Sequence, residues 1–235
     1  MALSASTNFT LTAVQLITEA RALLGILAEE EPLQATDLNR GILHLNLMIK
    51  AWQADGPFEW TKTEGSFTLV QGDADYVFGS GGTVTTVPFD ITDVRITRNS
   101  IDLPMEEMSR EQYRALPNKA SEGRPTQWFY DRQQGNGTLY VWPTSDSALG
   151  TIKFTYRRMI QDIDASTNDL DFPQEWFEAL LYGLADRLTL PYGKAGTPVA
   201  ASLASLAAGN FTRVMAQDAG EGRGSISIVP ESWDD

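Results

Sequence analysis

Asp162, Asp164 and Ser166 stand at the spacing of the first three oxygen ligands of a calcium loop. The rest of that loop is missing. Thr167 holds the sixth position, where the sharp turn needs Gly, and Pro173 holds the twelfth, where a bidentate Glu belongs. The stretch DIDASTNDLDF therefore reads as an acidic linker running into a helix N-terminus, where carboxylates are favoured. The Gly cluster GSGGT, Gly79 to Thr83, lacks the Lys of a phosphate loop and lies between strand-like segments, so it reads as a hairpin tip. Trp128, Tyr130, Tyr140, Trp142, Phe154 and Tyr156 alternate along three strand-like segments. Such a set can stack sugars or single-stranded nucleic acid. Core packing is the stronger reading, because aromatics dominate sandwich cores. Scattered Asp and Glu pairs could serve glycoside hydrolysis, but no carboxylate is set apart from the others.

Composition narrows the chemistry further. The 235 residues contain no Cys, which excludes disulfides, thiolate metal sites and Cys nucleophiles. The one His, His44, lies between Leu43 and Leu45 on a helical stretch and reads as a partly buried or interface residue. A lone His argues against most zinc sites and against a Ser-His-Asp triad. The net charge of −13 opposes gripping DNA through its phosphates. No apolar run is long enough to span a bilayer. The opening MALSASTNFT lacks a basic region followed by an apolar run, so no secretory signal is expected and nothing points out of the cytoplasm of synthesis. No cofactor or metal is expected.

The elements carrying these residues change character along the chain. Thr12 and Gln15 make a capping box flanked by Leu11 and Leu16. Val14, Ile17, Leu24 and Leu27 continue a helix expected to fade at Glu29–Pro32. A second helix starts near Thr36, with Leu38, Ile42, Leu45, Ile49 and Trp52 on one stripe and Gly56–Pro57 as its stop. Strands are expected at Ser66–Val70, Asp75–Phe78, Thr83–Val87, Val94–Arg98, Thr126–Tyr130, Thr138–Trp142 and Thr151–Arg158. QQGNGT, Gln133 to Thr138, suits a hairpin, and Ser109 with Gln112 caps a short helix to Leu116. A third long helix follows Phe172–Pro173. Either Phe172 and Phe177 staple its start or Pro173 occupies its first position. Trp176, Leu180, Leu184 and Leu188 form its stripe, and Pro191–Gly193 ends it. A fourth helix, Pro198 to Asp218, is Ala-rich and small-sided. In the tail, SISIV places Ile226 and Ile228 on one face of a short strand and Ser225, Ser227 and Val229 on the other. Such a strand can add to a sheet edge of another chain, with Trp233 as an anchor.

The end of the second helix, LNLMIKAWQADG, resembles the head-to-tail adaptor proteins of tailed phages, in particular the tail accessory or packaged-DNA-stabilisation type of short-tailed phages. The shared feature is a helix ending in an aromatic, two variable residues and Asp-Gly: Trp52, Asp55 and Gly56 here. The later FPQEWFEALLYGLADRLTLPYG is similar to the third helix of these adaptors. The short strands and regular turns read as a small antiparallel β-sandwich or barrel, so an α+β protein is expected, with that domain (58–162) inserted in a four-helix core (1–57 and 163–219) and followed by an extended C-terminal tail (220–235). The resemblance covers the four helices and implies an adaptor core without enzymatic activity. It also implies a ring, commonly twelvefold, of neighbouring copies beneath the portal protein at the head–tail junction of the virion, assembled in the cytoplasm of the bacterial host. A downstream tail or nozzle protein would dock on that ring, and DNA would pass the lumen without sequence-specific binding; no membrane is involved. The rival classes are a virion-associated cell-wall hydrolase and a carbohydrate- or receptor-binding tail module.

Overall fold

The computed structural model describes residues 6–26, 33–56, 58–148 and 150–221. The chain divides into two compact units, one formed by Met1–Glu59 with Ile160–Asp235 and the other by Trp60–Met159. The tail residues Ile226, Ile228, Val229 and Trp233 lie outside the described residues, as do Pro57 and Leu27.

The first unit is helical: α1 (Ala13–Leu23), α2 (Ala35–Asp55), α4 (Phe177–Leu188) and α5 (Pro198–Glu221). The Thr12 capping box forms as the sequence predicts, with the Gln15 amide donating to the Thr12 hydroxyl. α1 ends at Leu23, earlier than the expected fade at Glu29. Gly25 adopts φ +63°, its N–H reaches the Ala22 carbonyl, and the Ile26 N–H reaches that of Arg21. These bonds satisfy carbonyls that a helix end otherwise leaves bare. The same device follows α4: Gly193 has φ +65°, and the Lys194 N–H returns to the Thr189 carbonyl. Pro173 is not the first residue of α4; it caps the turn before it, with the buried Phe172 and Phe177 on either side. It precedes a 3-10 turn, Gln174–Trp176, from which α4 continues. The expected stripe Trp176, Leu180, Leu184 and Leu188 is wholly buried. Thr197 accepts the Ala200 N–H, placing Pro198 in the first turn of α5, where its missing N–H costs nothing.

Two glycines set how closely these helices approach. A Cβ at Gly41 of α2 would lie 2.6 Å from an Ile17 methyl of α1, and one at Gly183 of α4 would lie 2.9 Å from the Trp52 ring of α2. The acidic stretch expected to be a linker clasps α1 instead. The carbonyls of Asn168 and Ser166 accept the N–H groups of Ala13 and Val14 at 3.0 and 2.9 Å, and these are amides that have no partner inside the helix. Asn46 of α2 fixes the clasp from the other side, exchanging two 3.0 Å hydrogen bonds with the backbone of Ile163.

The second unit is a β-sandwich. One sheet has the order β1 (Lys62–Thr68), β10 (Thr151–Arg157), β3 (Asp90–Arg98), β4 (Ile101–Pro104). The other runs β2 (Asp75–Phe78), β8 (Gly137–Trp142), β7 (Gln127–Arg132), β5 (Glu106–Glu107). A two-stranded ribbon pairs β6 (Glu122–Gly123) with β9 (Thr144–Ser145). The long pairings are antiparallel, while the short β5–β7 and β6–β9 pairs are parallel. Both sheets feed one core, including Phe67, Phe78, Trp128, Leu139 and Phe154. QQGNGT turns β7 into β8 with Arg132 opposite Gly137. The short helix α3 (Arg110–Ala115) carries the expected Ser109–Gln112 box.

Thr83–Val87 is not a strand. The chain doubles back on β2 within the Gly turn: the Gly79 N–H donates to the Val84 carbonyl and the Val84 N–H to that of Val77. Those bonds consume the ladder positions that a further strand would need.

Candidate functional site

Trp52, Asp55 and Gly56 close α2, but they do not converge on a ligand. Trp52 is buried, its ring tilted against that of Phe211 of α5 at 4.7 Å and that of Trp176 at 6.3 Å. It floors a cleft of about 250 Å³ between α4 and α5, walled by Gly183, Arg187, Ala204 and Ala208. Gly56 caps α2 with extended backbone, and a Cβ there would meet the Met215 methyl at 2.5 Å. Asp55 is exposed. The motif thus joins α2 to α4 and α5 through Trp52 and leaves one carboxylate in solvent.

The sequence did not single out the polar centre of this unit. Arg21, only 7% exposed, reaches Asp37 at 3.0 Å, and the Tyr192 hydroxyl donates to the same carboxylate at 2.9 Å. Arg21 and Arg40 lie over the Tyr192 ring at 5.2 and 5.4 Å. Burial, then the bond to Asp37, pushes the Tyr192 phenol above its ordinary range. The cluster pins the end of α1, the start of α2 and the turn after α4. Arg21 at the end of α1 and Asp37 in the first turn of α2 were visible as dipole-compatible charges; their meeting through Tyr192 was not.

The acidic stretch lines a cleft of about 340 Å³ with Asp162, Asp164, Asp169 and Asp171. Lys50 pairs with Asp162 at 2.7 Å and donates to the Ile160 carbonyl. Asn168 Oδ1 accepts the N–H groups of Asp164 and Ala165. Among the described residues no group of three or more His, Asp or Glu side chains is arranged around a cation. His44 is half-buried on α2.

The alternating aromatics do not share a platform. Trp128 and Phe154 are buried in the sandwich core, and Tyr130 packs against it. Tyr140 and Trp142 face the other way, and the Trp142 indole donates to the Asn118 carbonyl. Phe129, which the sequence left unremarked, lies beside Tyr140 with rings 11° from coplanar, and Tyr113 of α3 covers both. Arg110 spans the Phe129 ring and pairs with both oxygens of Asp131. That bond holds the Asp131 carboxyl below its ordinary range. These residues surround a cleft of only about 140 Å³. The aromatic surface is thus spent on seating α3.

The helical unit also leaves large apolar side chains in solvent: Phe9, Leu43, Leu47, Leu190, Val199 and Leu206. No helix among the described residues is long and apolar enough to cross a membrane. Residues 11–228 match the family model of the SU10 adaptor protein. The chain belongs to the SU10 adaptor protein family. This is a head-to-tail adaptor family of bacteriophages, so the protein is a structural component of the phage type anticipated from the helix-end motif. The match runs through both units, so the β-sandwich lies within the span of the SU10 adaptor family. No curated protein matches the chain.

Proposed function

We propose that this SU10 adaptor acts as a structural ring below the portal, extending the DNA channel and presenting a platform to the next tail or nozzle protein. Its role is assembly rather than catalysis, at the head–tail junction of a virion built in the bacterial host cytoplasm. The observation that carries this reading is the apolar surface of the helical unit. Leu43 and Leu47 are 57% and 54% exposed one turn apart on α2, and Val199 and Leu206 are exposed on α5. α5 carries no charged residue from Pro198 to Thr212, in a chain of net charge −13. Neighbouring copies can meet on such surfaces with little like-charge repulsion. The acidic total suits a lumen that DNA crosses without adhering. A twelvefold ring is the expectation from the adaptor resemblance.

The tail residues Ile226, Ile228, Val229 and Trp233 are assigned to the portal or to a neighbouring copy, where a short strand can join a sheet edge and an aromatic can anchor it. Two experiments test the reading. Sedimentation of the free protein should give a monomer or weak oligomer, and the mixture with portal a closed ring; a stable small dimer indifferent to portal would sink it. Removing residues 221–235 should leave the thermal melt nearly unchanged and abolish portal binding. A much lower melt with portal binding intact would instead make the tail an internal strand.

A further inference from the structure

The helical unit carries two apolar features that fit each other. The first is on α2. Its buried ridge, Leu45, Met48, Ile49 and Trp52, packs against its own unit. At ~100° per residue, Leu43 and Leu47 fall roughly 180° from that ridge. Both stand in solvent. Arg40, three residues before Leu43, is an exposed cation at one end of the apolar pair, while Lys50, three residues after Leu47, is held by Asp162 and the Ile160 carbonyl.

The second feature is a groove of about 230 Å³ between α1 and α4, lined by Phe9, Leu11, Leu16, Phe177 and Leu181. Its polar members are two exposed carboxylates, Glu19 and Glu178, of which Glu178 is paired with Arg213 at 2.6 Å. Phe9 is 63% exposed yet held in place. Its ring meets Phe177 edge-on at 5.7 Å, and the backbone on either side is tied down by Gln174 Nε2 donating to the Thr7 carbonyl and the Leu170 N–H donating to that of Leu11. An aromatic ring kept in water by bonds on both sides is a built edge rather than a loose end.

We propose that the Leu43–Leu47 stripe of one copy seats in the α1–α4 groove of the next. This inference rests on the reading of the protein as a ring of its own copies, and it names the interface. Helix-in-groove recognition asks for apolar anchors one turn apart and a groove to take them. The charges agree at one point: the exposed Arg40 beside the stripe can meet the exposed Glu19 on the groove rim, whereas most surfaces of a −13 chain repel one another. No α2 residue lines the groove, and the buried ridge of α2 faces α1 and α4 through Gly41–Ile17 and Gly183–Trp52. The leucines therefore point away from the helices that build the socket. A knob and a socket on different faces make a heterologous contact, which repeats from copy to copy and closes into a ring when the rotation permits.

The native chain has no Cys, so a cross-link can be placed without interference. We would introduce Leu47→Cys and Leu181→Cys into the full-length protein and oxidise it briefly, with and without portal. The double variant should give a ladder of linked chains on a non-reducing gel, and a mixture of the two single variants should give linked dimers only. Leu47→Cys alone should stay unlinked. Adding Arg40→Glu to the Leu47→Cys chain should cut the yield severalfold, and adding Glu19→Lys to the Leu181→Cys chain should restore it. Melts of each variant confirm folding. Efficient dimers from Leu47→Cys alone would overturn the proposal in favour of stripe against stripe, and no link in the mixture of folded variants would overturn it outright. Portal co-sedimentation is scored separately. A ladder without portal docking defeats only the functional reading, and docking without a ladder defeats only this interface.

Discussion

Gly183 of α4 lies against the indole of Trp52 so closely that a Cβ there would fall 2.9 Å from the ring and 3.0 Å from the Met48 sulfur. Gly183→Ala would gain about 1 kcal/mol of helix propensity. It would lose ~1–3 kcal/mol to overpacking, because a buried indole cannot swing aside as a methionine can. We expect a net loss of about 1 kcal/mol in urea unfolding followed by far-UV circular dichroism. Trp52→Ala should cost ~3–5 kcal/mol, since it empties the space that Phe211 and Trp176 share. A stabilised Gly183→Ala would mean that α4 can slide along α2.

The Arg21–Asp37–Tyr192 cluster should respond unevenly to its members. Asp37→Asn leaves a buried guanidinium without its carboxylate, a change worth ~3 kcal/mol or more. Tyr192→Phe removes one hydrogen bond and keeps the ring beneath both arginines, for ~1 kcal/mol. Equal, small losses in a thermal melt would show the pair to be screened by solvent.

Tyr130 gives the sandwich a pH dependence. Burial pushes its phenol from 10.0 up to about 12, and its hydroxyl has no hydrogen-bond partner among the described residues. The native state holds this proton more tightly than the unfolded chain does. Its contribution is therefore complete below pH 10 and is lost as the pH rises towards 12. Tyr130→Phe removes an unsatisfied buried hydroxyl. We expect unchanged or raised stability at neutral pH, by up to about 1 kcal/mol, and a shallower decline in alkali. A clear loss at neutral pH would show that the hydroxyl has a bound partner in solution.

The sandwich should be removable. Thr61 and Arg158 are joined by a backbone hydrogen bond, and Lys62 stands opposite Arg157, so the chain leaves and returns at one place. Phe58 and Ile160 should be kept. Phe58 packs edge-on against Trp176 at 4.9 Å, and the Ile160 carbonyl accepts from Lys50. Replacing residues 60–159 with a few Gly and Ser residues should leave a cooperative helical melt and self-association. A molten product would show that the helices need the sandwich to fold.

Local rules carried the sequence reading where they acted alone. Both capping boxes, the Gly135 hairpin and the α4 stripe follow from neighbours in sequence. The reading fell short where distant segments supply a partner. Asp162–Asp171 looked like a linker because its carbonyls meet α1 some 150 residues away, at Ala13 and Val14. Thr83–Val87 has strand composition, yet a Gly turn folds Val84 back onto Val77. Gly25, which ends α1 at positive φ, is a stop signal that the expectation of a fade at Glu29–Pro32 did not use. The α1–α4 groove and the Tyr192 cluster join residues more than 150 positions apart, and no periodicity reports such pairings.

The nesting of one unit inside the other also sets an order of events on the ribosome. α1 and α2 emerge first but cannot bury their apolar faces, because α4 and the clasp at Ser166–Asn168 are still to be made. Residues 60–159 are contiguous and can fold next. Once they have, Thr61 and Arg158 are fastened together, and an intervening loop of about 100 residues behaves like one of a few. By the logarithmic cost of loop closure, shortening the path from α1 to α4 from about 150 residues to about 55 lowers the entropy penalty for bringing them together by ~1 kcal/mol. The sandwich is thus a splint for the nascent chain. A lesion confined to its core would leave two sticky helices waiting without a partner, and its first symptom would be aggregation during synthesis.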